Sequence, residues 1–414
     1  MEHSNGKSAL DVPRVVITGI GVVSSIGLTR DAFWRSLVTG ECGIRTIQSA
    51  DFDQLRFKHA ADVQNFVPED HIPAKDINLM DRFAQFAVVA AKEAMGQSGL
   101  ALTQAIRESG AVVTGSCIGG RSAEEAGYRE LYIHGRNRVH PLTIPLGMAN
   151  AGASHVSMCF GIQGPSYTVS TACASSTHAI GQAFHMVRSG TAPIAIAGGS
   201  EAPLYFGNLK AWEAMRVISK DTCRPFSADR SGLVLGEGAA MLVLEPLDAA
   251  LARGAKPIAE IVGFGMSADA CHITQPSAEG PARAMRMALH DAALAPEQIG
   301  YINAHGTATE VNDRIETAAI RLVFGPHAEK LAVSSTKSMH AHTLGAAGAI
   351  EAAASALTLA NRVIPPTVNY TTPDPACDLD FVPNAARTQQ VEACLSNSFA
   401  FGGLNAVLAL RAMA

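Results

Sequence analysis

Residues 167–188 read YTVSTACASSTHAIGQAFHMVR. The β-branched run at 167–171 predicts a strand, and the small and apolar residues from about 174 to 188 predict a helix that follows it at once. A strand that leads directly into a helix is typical of layered α/β proteins, in which helices cover mainly buried strands. This stretch therefore predicts an α/β fold.

The same alternation continues on both sides of this stretch. Strands are predicted at 15–18, 111–114, 193–197, 239–245, 258–263, 299–303, 331–335, 395–401 and 404–410, and helices at 81–95, 281–293, 313–324 and 346–361. The pattern restarts near residues 247–257 without a long linker. We expect two α/β halves of similar organisation, 13–252 and 253–414, in one fused unit.

Composition narrows the class of protein. The 414 residues are 48% hydrophobic and 17% charged, which is enough apolar material for a large core. A net charge of −5 gives no sign of a surface for nucleic acid or anionic membranes. No apolar stretch approaches the roughly 18 residues of a membrane span, and residues 1–12 lack the apolar segment of a secretory signal. We expect a cytoplasmic protein with no nucleic-acid or membrane partner.

Cys173 is one of eight scattered cysteines, none in a C-x-x-C pair, so free thiols are expected. Its place between the strand and the helix makes it distinctive. The helix dipole favours an anion there, and we expect it to lower the thiol pKa by about 0.2–1.5 units. Local sequence leaves two interpretations open, a nucleophile or a packed core thiol.

Two histidine segments follow predicted strands. His305 lies in a polar cluster at a strand end, where it is either a hydrogen-bond donor for a ligand or a structural residue. His340 and His342 form an H-x-H pair that would share a face in an extended segment. No further cluster with metal-ligand spacing accompanies them, and Lys337 nearby disfavours a dication. We therefore predict no metal site, and favour imidazoles that act as hydrogen-bond donors.

Several motifs occur in a fixed order along the chain. They are 16-VITGIGVVS-24, 115-GSCIGG-120, 171-TACASS-176, 197-AGGSE-201, 224-RPFSADR-230, 236-GEG-238, 303-NAHGT-307, 335-STKSM-339, 344-LGAAG-348 and 397-NSFAFGG-403. On these motifs the chain resembles the elongating β-ketoacyl-acyl-carrier-protein synthases of the type II, FabF-like branch and the type II polyketide ketosynthases. The resemblance runs from about residue 15 to 408.

The resemblance implies the thiolase fold, with two pseudo-symmetric αβαβα-like halves in one fused five-layered unit. Residues 13–252 would carry the nucleophilic cysteine and residues 253–414 the two histidines. It also implies a decarboxylative Claisen condensation, in which an acyl chain on Cys173 reacts with a malonyl-carrier thioester and grows by two carbons. The enzyme would bind no cofactor, because its substrates arrive on the phosphopantetheine arm of an acyl carrier protein.

Residue roles follow from the same resemblance. Cys173 would be the nucleophile, with its own N–H and that of Phe401 as the oxyanion hole, and Phe401 would also be a gate. His305 and His342 would stabilise the malonyl enolate. Lys337 would form an ion pair with Glu351. Thr307 and Thr309 would bind the pantetheine arm by hydrogen bonds. The acyl pocket would be lined by Ile118, Thr143 and Trp212.

Related classes are disfavoured by particular residues. A biosynthetic thiolase would need a second cysteine in the C-terminal glycine-rich turn, and Cys394 lies outside it. A chalcone-synthase-like or initiating enzyme would have asparagine in place of His342. A chain-length factor, which is the non-catalytic alternative, would lack the nucleophile Cys173.

Departures from the family motifs surround the predicted site. His340-Ala341 replaces Thr-Gly, Thr343 replaces Leu, Ala400 replaces Gly, and Leu404 replaces Thr. Alanine at position 400 is expected to restrict the gating loop, because positive φ is costly for it. Both a housekeeping fatty-acid enzyme and a specialised nodulation-type or polyketide ketosynthase remain open. So do a homodimer and a heterodimer with a chain-length-factor-like subunit.

Overall fold

The computed structural model describes residues 12–47 and 52–413. Its strands are β1 (Val15–Ser24), β2 (Arg45–Thr46), β3 (His59–Ala60), β4 (Ala111–Gly115), β5 (Ser166–Val169), β6 (Ala195–Glu201), β7 (Gly238–Pro246), β8 (Ala259–Ala268), β9 (Ile299–Asn303), β10 (Ala332–Ser334), β11 (Val363–Ile364), β12 (Arg387–Thr388), β13 (Ala393–Ala400) and β14 (Leu404–Ala412). The segment predicted to lack a secretory signal, residues 1–12, lies outside the described residues apart from Val12.

The α-helices complete the framework. They are α1 (Arg30–Thr39), α2 (Ala74–Ile77), α3 (Arg82–Ser98), α4 (Gln104–Ser109), α5 (Arg121–Tyr132), α6 (Thr143–Gly147), α7 (Ala151–Phe160), α8 (Ser175–Arg188), α9 (Phe206–Met215), α10 (Leu247–Ala252), α11 (Glu279–Asp291), α12 (Glu310–Phe324), α13 (Lys337–His340) and α14 (Ala347–Asn361).

The main sheet repeats one strand pattern in its two halves. Its ten strands lie in the order β10-β9-β13-β14-β8-β1-β7-β6-β4-β5. From each edge inward, two parallel pairings are followed by two antiparallel ones, and the halves meet where β1 pairs with β8. Strands β1, β4, β5, β6 and β7 of the first half therefore occupy the same positions in the sheet as β8, β9, β10, β13 and β14 of the second half. This repetition is the pseudo-symmetry of the predicted thiolase fold.

Five layers follow from the helix contacts. The buried helices α8 and α14 pack against each other and against strands of both halves, so they form the central layer. Helices α3 and α7 pack against strands of the first half, and α11, with α12 beside it, covers strands of the second half. The predicted division at residues 252 and 253 falls at the end of α10, and as a domain boundary it stays a prediction.

The strands and helices predicted from hydrophobic pattern are all present, but their ends differ, and β1 and β8 extend six and five residues beyond their predicted ends. Helix α3, for example, begins after the cap Asp81 and ends before Gly99, which has φ 61°. One local prediction is wrong. His340 ends the short helix α13, so the H-x-H pair does not lie in one extended segment. No helix within residues 12–47 and 52–413 is long and apolar enough to cross a bilayer.

Candidate active site

Cys173 lies in a tight turn between β5 and α8. Strand β5 ends at Val169, and Thr171 and Cys173 form a bridge across Ala172, whose φ of 50° is unusual for alanine. The hydroxyl of Ser175 holds the turn, because it accepts from Thr171 N at 2.9 Å and donates to Ala172 O at 2.6 Å. Such local strain is found where a fold fixes the direction of a reactive side chain. The turn directs the Cys173 side chain into a cavity.

The electrostatics of Cys173 differ from the prediction. Burial raises the pKa of the thiol to about 11, although the charge of Lys337 and the backbone N–H groups of Cys173 and Phe401 lower it. The predicted decrease in the pKa is therefore wrong, because desolvation outweighs the stabilisation of the thiolate. The lowering effect of the two N–H groups places both near the sulfur. An oxyanion hole needs two such donors beside the carbonyl oxygen of a thioester attached to that sulfur.

His305 follows the end of β9 and is held by a carboxylate that the sequence analysis did not identify. The backbone N–H groups of His305 and Gly306 donate to the two oxygens of Glu316, each at 2.8 Å. Glu316 is buried on α12, and Asn397 donates to it at 3.2 Å. Asp313 and Glu316 are acidic residues three apart in a predicted amphipathic helix. Acidic residues at this spacing also occur on exposed helix faces, so the sequence alone gives no signal for the role of Glu316.

Lys337 determines which ring nitrogen of His305 carries the proton. Its ammonium group donates to His305 O at 2.6 Å, to His305 Nδ1 at 3.3 Å and to Glu351 Oε1. These contacts use all three ammonium hydrogens, and an ammonium group cannot accept. His305 Nδ1 is then the acceptor, and the ring proton lies on Nε2. Both members of the Lys337–Glu351 ion pair are fully buried.

His342 completes the group of imidazoles. Its backbone is fixed beside residues 234–236, since its N–H donates to Val234 O at 2.8 Å and its carbonyl accepts from Gly236 N at 3.0 Å. The rings of His305 and His342 lie edge to face with centroids 5.4 Å apart. Burial, followed by the charge of Lys337, lowers the pKa of both histidines well below the usual value. Both imidazoles are therefore neutral at physiological pH.

A cavity of about 530 Å³ joins the sulfur to these groups. Cys173, His342, Thr307 and Phe401 all contribute to its wall, and the buried ring of His305 packs edge to face against that of His342. Thr309 also lines it, and the hydroxyls of Thr307 and Thr309 are 2.9 Å apart. Thr307 is buried and Thr309 is half-buried, so the cavity wall carries a pair of hydroxyl groups that a polar substrate arm could bind.

An aromatic pair lies at the mouth of this cavity. Phe401 is 36% exposed, and its ring stacks on Trp212 of α9 with centroids 6.0 Å apart. Ala400 belongs to strand β13 and does not have positive φ, so the expected strain at this position is not present. The glycines that follow it, with φ of 83° at Gly402 and 69° at Gly403, provide the turn.

The other predicted pocket residues lie apart from this cavity. Ile118 lines a second, open cavity of about 810 Å³ together with Cys117 and Tyr128. Thr143 is buried on α6, where its hydroxyl donates to His140 O at 2.8 Å, and it lines neither cavity. In residues 12–47 and 52–413, no cluster of three or more potential metal ligands occurs.

Family models match both halves of the chain. The N-terminal domain of β-ketoacyl synthases matches residues 13–250, and the C-terminal domain matches residues 258–371. This chain belongs to the β-ketoacyl synthase family. The ketosynthase is a condensing acyltransferase that elongates acyl chains, and its fold is the thiolase fold.

Known proteins resemble it over almost its whole length. Nodulation protein E of Rhizobium sp. (strain N33) is 49% identical over 398 residues, which are 96% of this chain and 99% of that protein. The 3-oxoacyl-[acyl-carrier-protein] synthase 2 of Staphylococcus aureus (strain COL) is 43% identical over 405 residues, 96% of this chain and 98% of that protein. The solved ishigamide ketosynthase/chain length factor is 36% identical with a TM-score of 0.93, and the match covers 97% of this chain and 100% of that chain.

Proposed function

We propose that this ketosynthase loads an acyl chain onto Cys173 and extends it with a malonyl unit by using His305 and His342 as neutral hydrogen-bond donors. The observation that supports this proposal is the convergence of the Cys173 thiol, two backbone N–H groups and a neutral His342 on one cavity. A hydrolase triad would instead need a histidine that accepts the proton of the nucleophile and is oriented by a carboxylate.

In the loading half-reaction, the Cys173 sulfur attacks the carbonyl carbon of an acyl-carrier thioester. The negative charge develops on the carbonyl oxygen, next to the N–H groups of Cys173 and Phe401. The bond to the pantetheine sulfur breaks, and the thiol proton leaves with that sulfur. Thr307 and Thr309 would bind the pantetheine arm through hydrogen bonds.

In the condensing half-reaction, a malonyl-carrier thioester replaces the first carrier. The Nε2 proton of His305 and a ring proton of His342 stabilise the thioester oxygen as carbon dioxide leaves and the enolate forms. The enolate carbon then attacks the acyl-Cys173 carbonyl, and the Cys173 sulfur leaves as a thiolate that takes up a proton from water. Lys337 and Glu351 would hold the His305 tautomer that this step needs.

Separate assays of the half-reactions test these roles. His342→Ala should retain acyl loading of Cys173, measured by intact mass, while release of carbon dioxide from malonyl-carrier protein falls about 100-fold or more. Cys173→Ala should abolish loading. His327→Ala is a matched control, since this half-buried ring bonds to Ile299 O outside the cavity. Decarboxylation by His342→Ala at the wild-type rate would contradict the mechanism.

We further propose that the acyl chain is unsaturated or rigid, as expected of a specialised ketosynthase. The altered motifs near the site and the similarity to nodulation protein E and to the ishigamide ketosynthase support this interpretation. Housekeeping fatty-acid elongation is the alternative, since the staphylococcal relative is also similar. Competition between polyenoyl- and saturated acyl-carrier substrates for loading distinguishes the two. Preference for long saturated chains would contradict the specialised role.

The proposed partners are an acyl carrier protein and a second ketosynthase-like subunit, either a copy of this chain or a chain-length factor. Exposed apolar residues beside the second cavity support a subunit contact, notably Tyr132 at 80% and Ile133 at 66% exposure. We expect the enzyme to act in the cytoplasm without a bound cofactor. Co-purification with the product of a neighbouring gene would identify a heterodimer.

A further inference from the structure

A third histidine, His340, lies beside the catalytic group without reaching the cavity. It is the last residue of α13 and is fully buried, with its ring 6.3 Å from that of Phe33. Both ring nitrogens have partners. Nδ1 is 2.9 Å from Ala341 O, and Nε2 is 3.0 Å from Thr336 Oγ1.

These contacts define one tautomer of the His340 imidazole. A carbonyl oxygen can only accept, so Nδ1 carries the proton and donates to Ala341 O. Nε2 then accepts from the Thr336 hydroxyl. Burial, with a smaller effect of Lys337, lowers the pKa of His340 to about 3, so the ring stays neutral through the physiological range. His340 is therefore a fixed donor and does not shuttle protons.

The carbonyl that His340 binds belongs to a strained residue. Ala341 has φ 59° and ψ −169°, a region that glycine occupies almost alone. Its N–H is bonded to Lys337 O at 2.9 Å. Without a restraint on its carbonyl, Ala341 could relax by rotating the next peptide. His340 and Ala341, which both differ from the family motif, are thus joined by one hydrogen bond.

That next peptide joins Ala341 to His342. Its oxygen accepts from His340 Nδ1, and its N–H donates to Val234 O at 2.8 Å, so both of its polar atoms are held. Rotation of this peptide would move the His342 ring relative to Cys173 in the shared cavity. A displacement of about 1 Å in a catalytic group can lower a rate by about 100-fold.

We infer that His340 is a positioning residue, which holds the strained Ala341–His342 peptide and thereby directs the His342 ring into the cavity. This inference rests on the proposed role of His342 in decarboxylation. It gives His340 a function in only one half-reaction. Loading of Cys173 does not depend on His342, whereas decarboxylation does.

Two substitutions of similar shape separate hydrogen bonding from packing. In His340→Asn, the side-chain amide can replace Nδ1–H as the donor to Ala341 O, whereas His340→Leu has no donor. We expect His340→Leu to release carbon dioxide from malonyl-carrier protein about tenfold more slowly, with acyl loading within about twofold of wild type. His340→Asn should remain within about threefold in both assays. If the leucine variant does not fold, His340→Gln takes its place, since its amide reaches the Nε2 position instead.

A glycine at position 341 provides the decisive comparison. Ala341→Gly removes the strain that the hydrogen bond restrains, so it should restore most of the decarboxylation rate to the His340→Leu or His340→Gln background. If the variants without the Nδ1 donor lose loading and decarboxylation equally, and Ala341→Gly restores neither, His340 only packs against Phe33 and the inference is overturned. An unchanged decarboxylation rate in these variants would also overturn it. His342→Ala, measured in parallel, tests the proposed function separately. If this variant still decarboxylated malonyl-carrier protein at the wild-type rate, the proposed role of His342 would be wrong, whatever the result at His340.

Discussion

At the scale of single residues, the buried thiol of Cys173 makes the clearest pH prediction. Burial raises its pKa to about 11, so the thiolate fraction increases with pH up to that value. The rate constant for alkylation of Cys173 by iodoacetamide should therefore rise about tenfold per pH unit between about pH 7 and 10. Peptide mapping isolates Cys173 from the other thiols, and Cys173→Ala provides the background. A plateau below pH 8 would show a lowered pKa and contradict this account.

The buried Lys337–Glu351 pair predicts a large effect on stability. Lys337→Met leaves Glu351 buried without its cation and should lower the free energy of unfolding by about 3–5 kcal/mol. Replacing both residues with methionine should recover much of that loss, because no uncompensated charge remains. Urea unfolding of the two variants and the wild type measures the difference. Equal stability of Lys337→Met and the double variant would contradict a direct ion pair.

Local sequence identified the residues whose motifs are continuous in the chain. Cys173 at a strand–helix junction, and His305 and His342 after predicted strands, could be selected as candidates without coordinates, and the family resemblance supplied their expected roles. Glu316 could not, because its role depends on bonds to His305 N and Gly306 N, which come from tertiary packing. The pKa of Cys173 was predicted in the wrong direction, since sequence shows the nearby helix but not the extent of burial.

Among the elements, the turn between β13 and β14 borders the cavity of Cys173, where Phe401 is the predicted gate. Phe401 begins this turn and stacks on Trp212, while Ala400 ends the preceding strand in an unstrained conformation. The two strands predicted at 395–401 and 404–410 form an antiparallel hairpin around Gly402 and Gly403. The sequence did not predict the conformation of Ala341, because strain in α13 and its exit is imposed by neighbouring segments.

Ala400→Gly should make the gate more mobile. Glycine adds backbone freedom equivalent to about 0.5–1 kcal/mol, so hydrolysis of acyl-Cys173 should accelerate about two- to fivefold. Intact mass spectrometry over time measures the loss of the acyl group. Ala393→Gly, at the other end of β13, is the control and should leave the half-life unchanged. An unchanged half-life in Ala400→Gly would show that this residue does not limit movement of the gate.

At the scale of the whole molecule, two halves with one strand order bring Cys173 and the two histidines together. Cys173 follows β5 in the first half, and His305 follows β9 in the second. The restart of the α/β pattern near residues 247–257 was visible in the sequence. The strand order was not, since pairing and register depend on contacts between distant segments. The resemblance to ketosynthases was therefore needed to predict the architecture.

An apolar surface near the second cavity predicts a subunit interface. Tyr132 and Ile133 are largely exposed at the end of α5. Tyr132→Asp should shift the enzyme from dimer to monomer in light scattering coupled to size-exclusion chromatography, because a charge would be desolvated in the contact. Leu322→Asp on α12, which is 47% exposed, is the control and should leave the mass unchanged. A dimeric Tyr132→Asp enzyme would place the interface elsewhere.

Cys173 is the residue proposed to carry the acyl chain, and intact mass spectrometry of the loaded enzyme tests this role. Wild-type enzyme incubated with an acyl-carrier substrate should gain the mass of one acyl group, and peptide mapping should locate it on Cys173. Cys173→Ala should gain none, although Cys117 remains available in the second cavity. An acyl group on another cysteine, or equal loading of Cys173→Ala, would contradict the account.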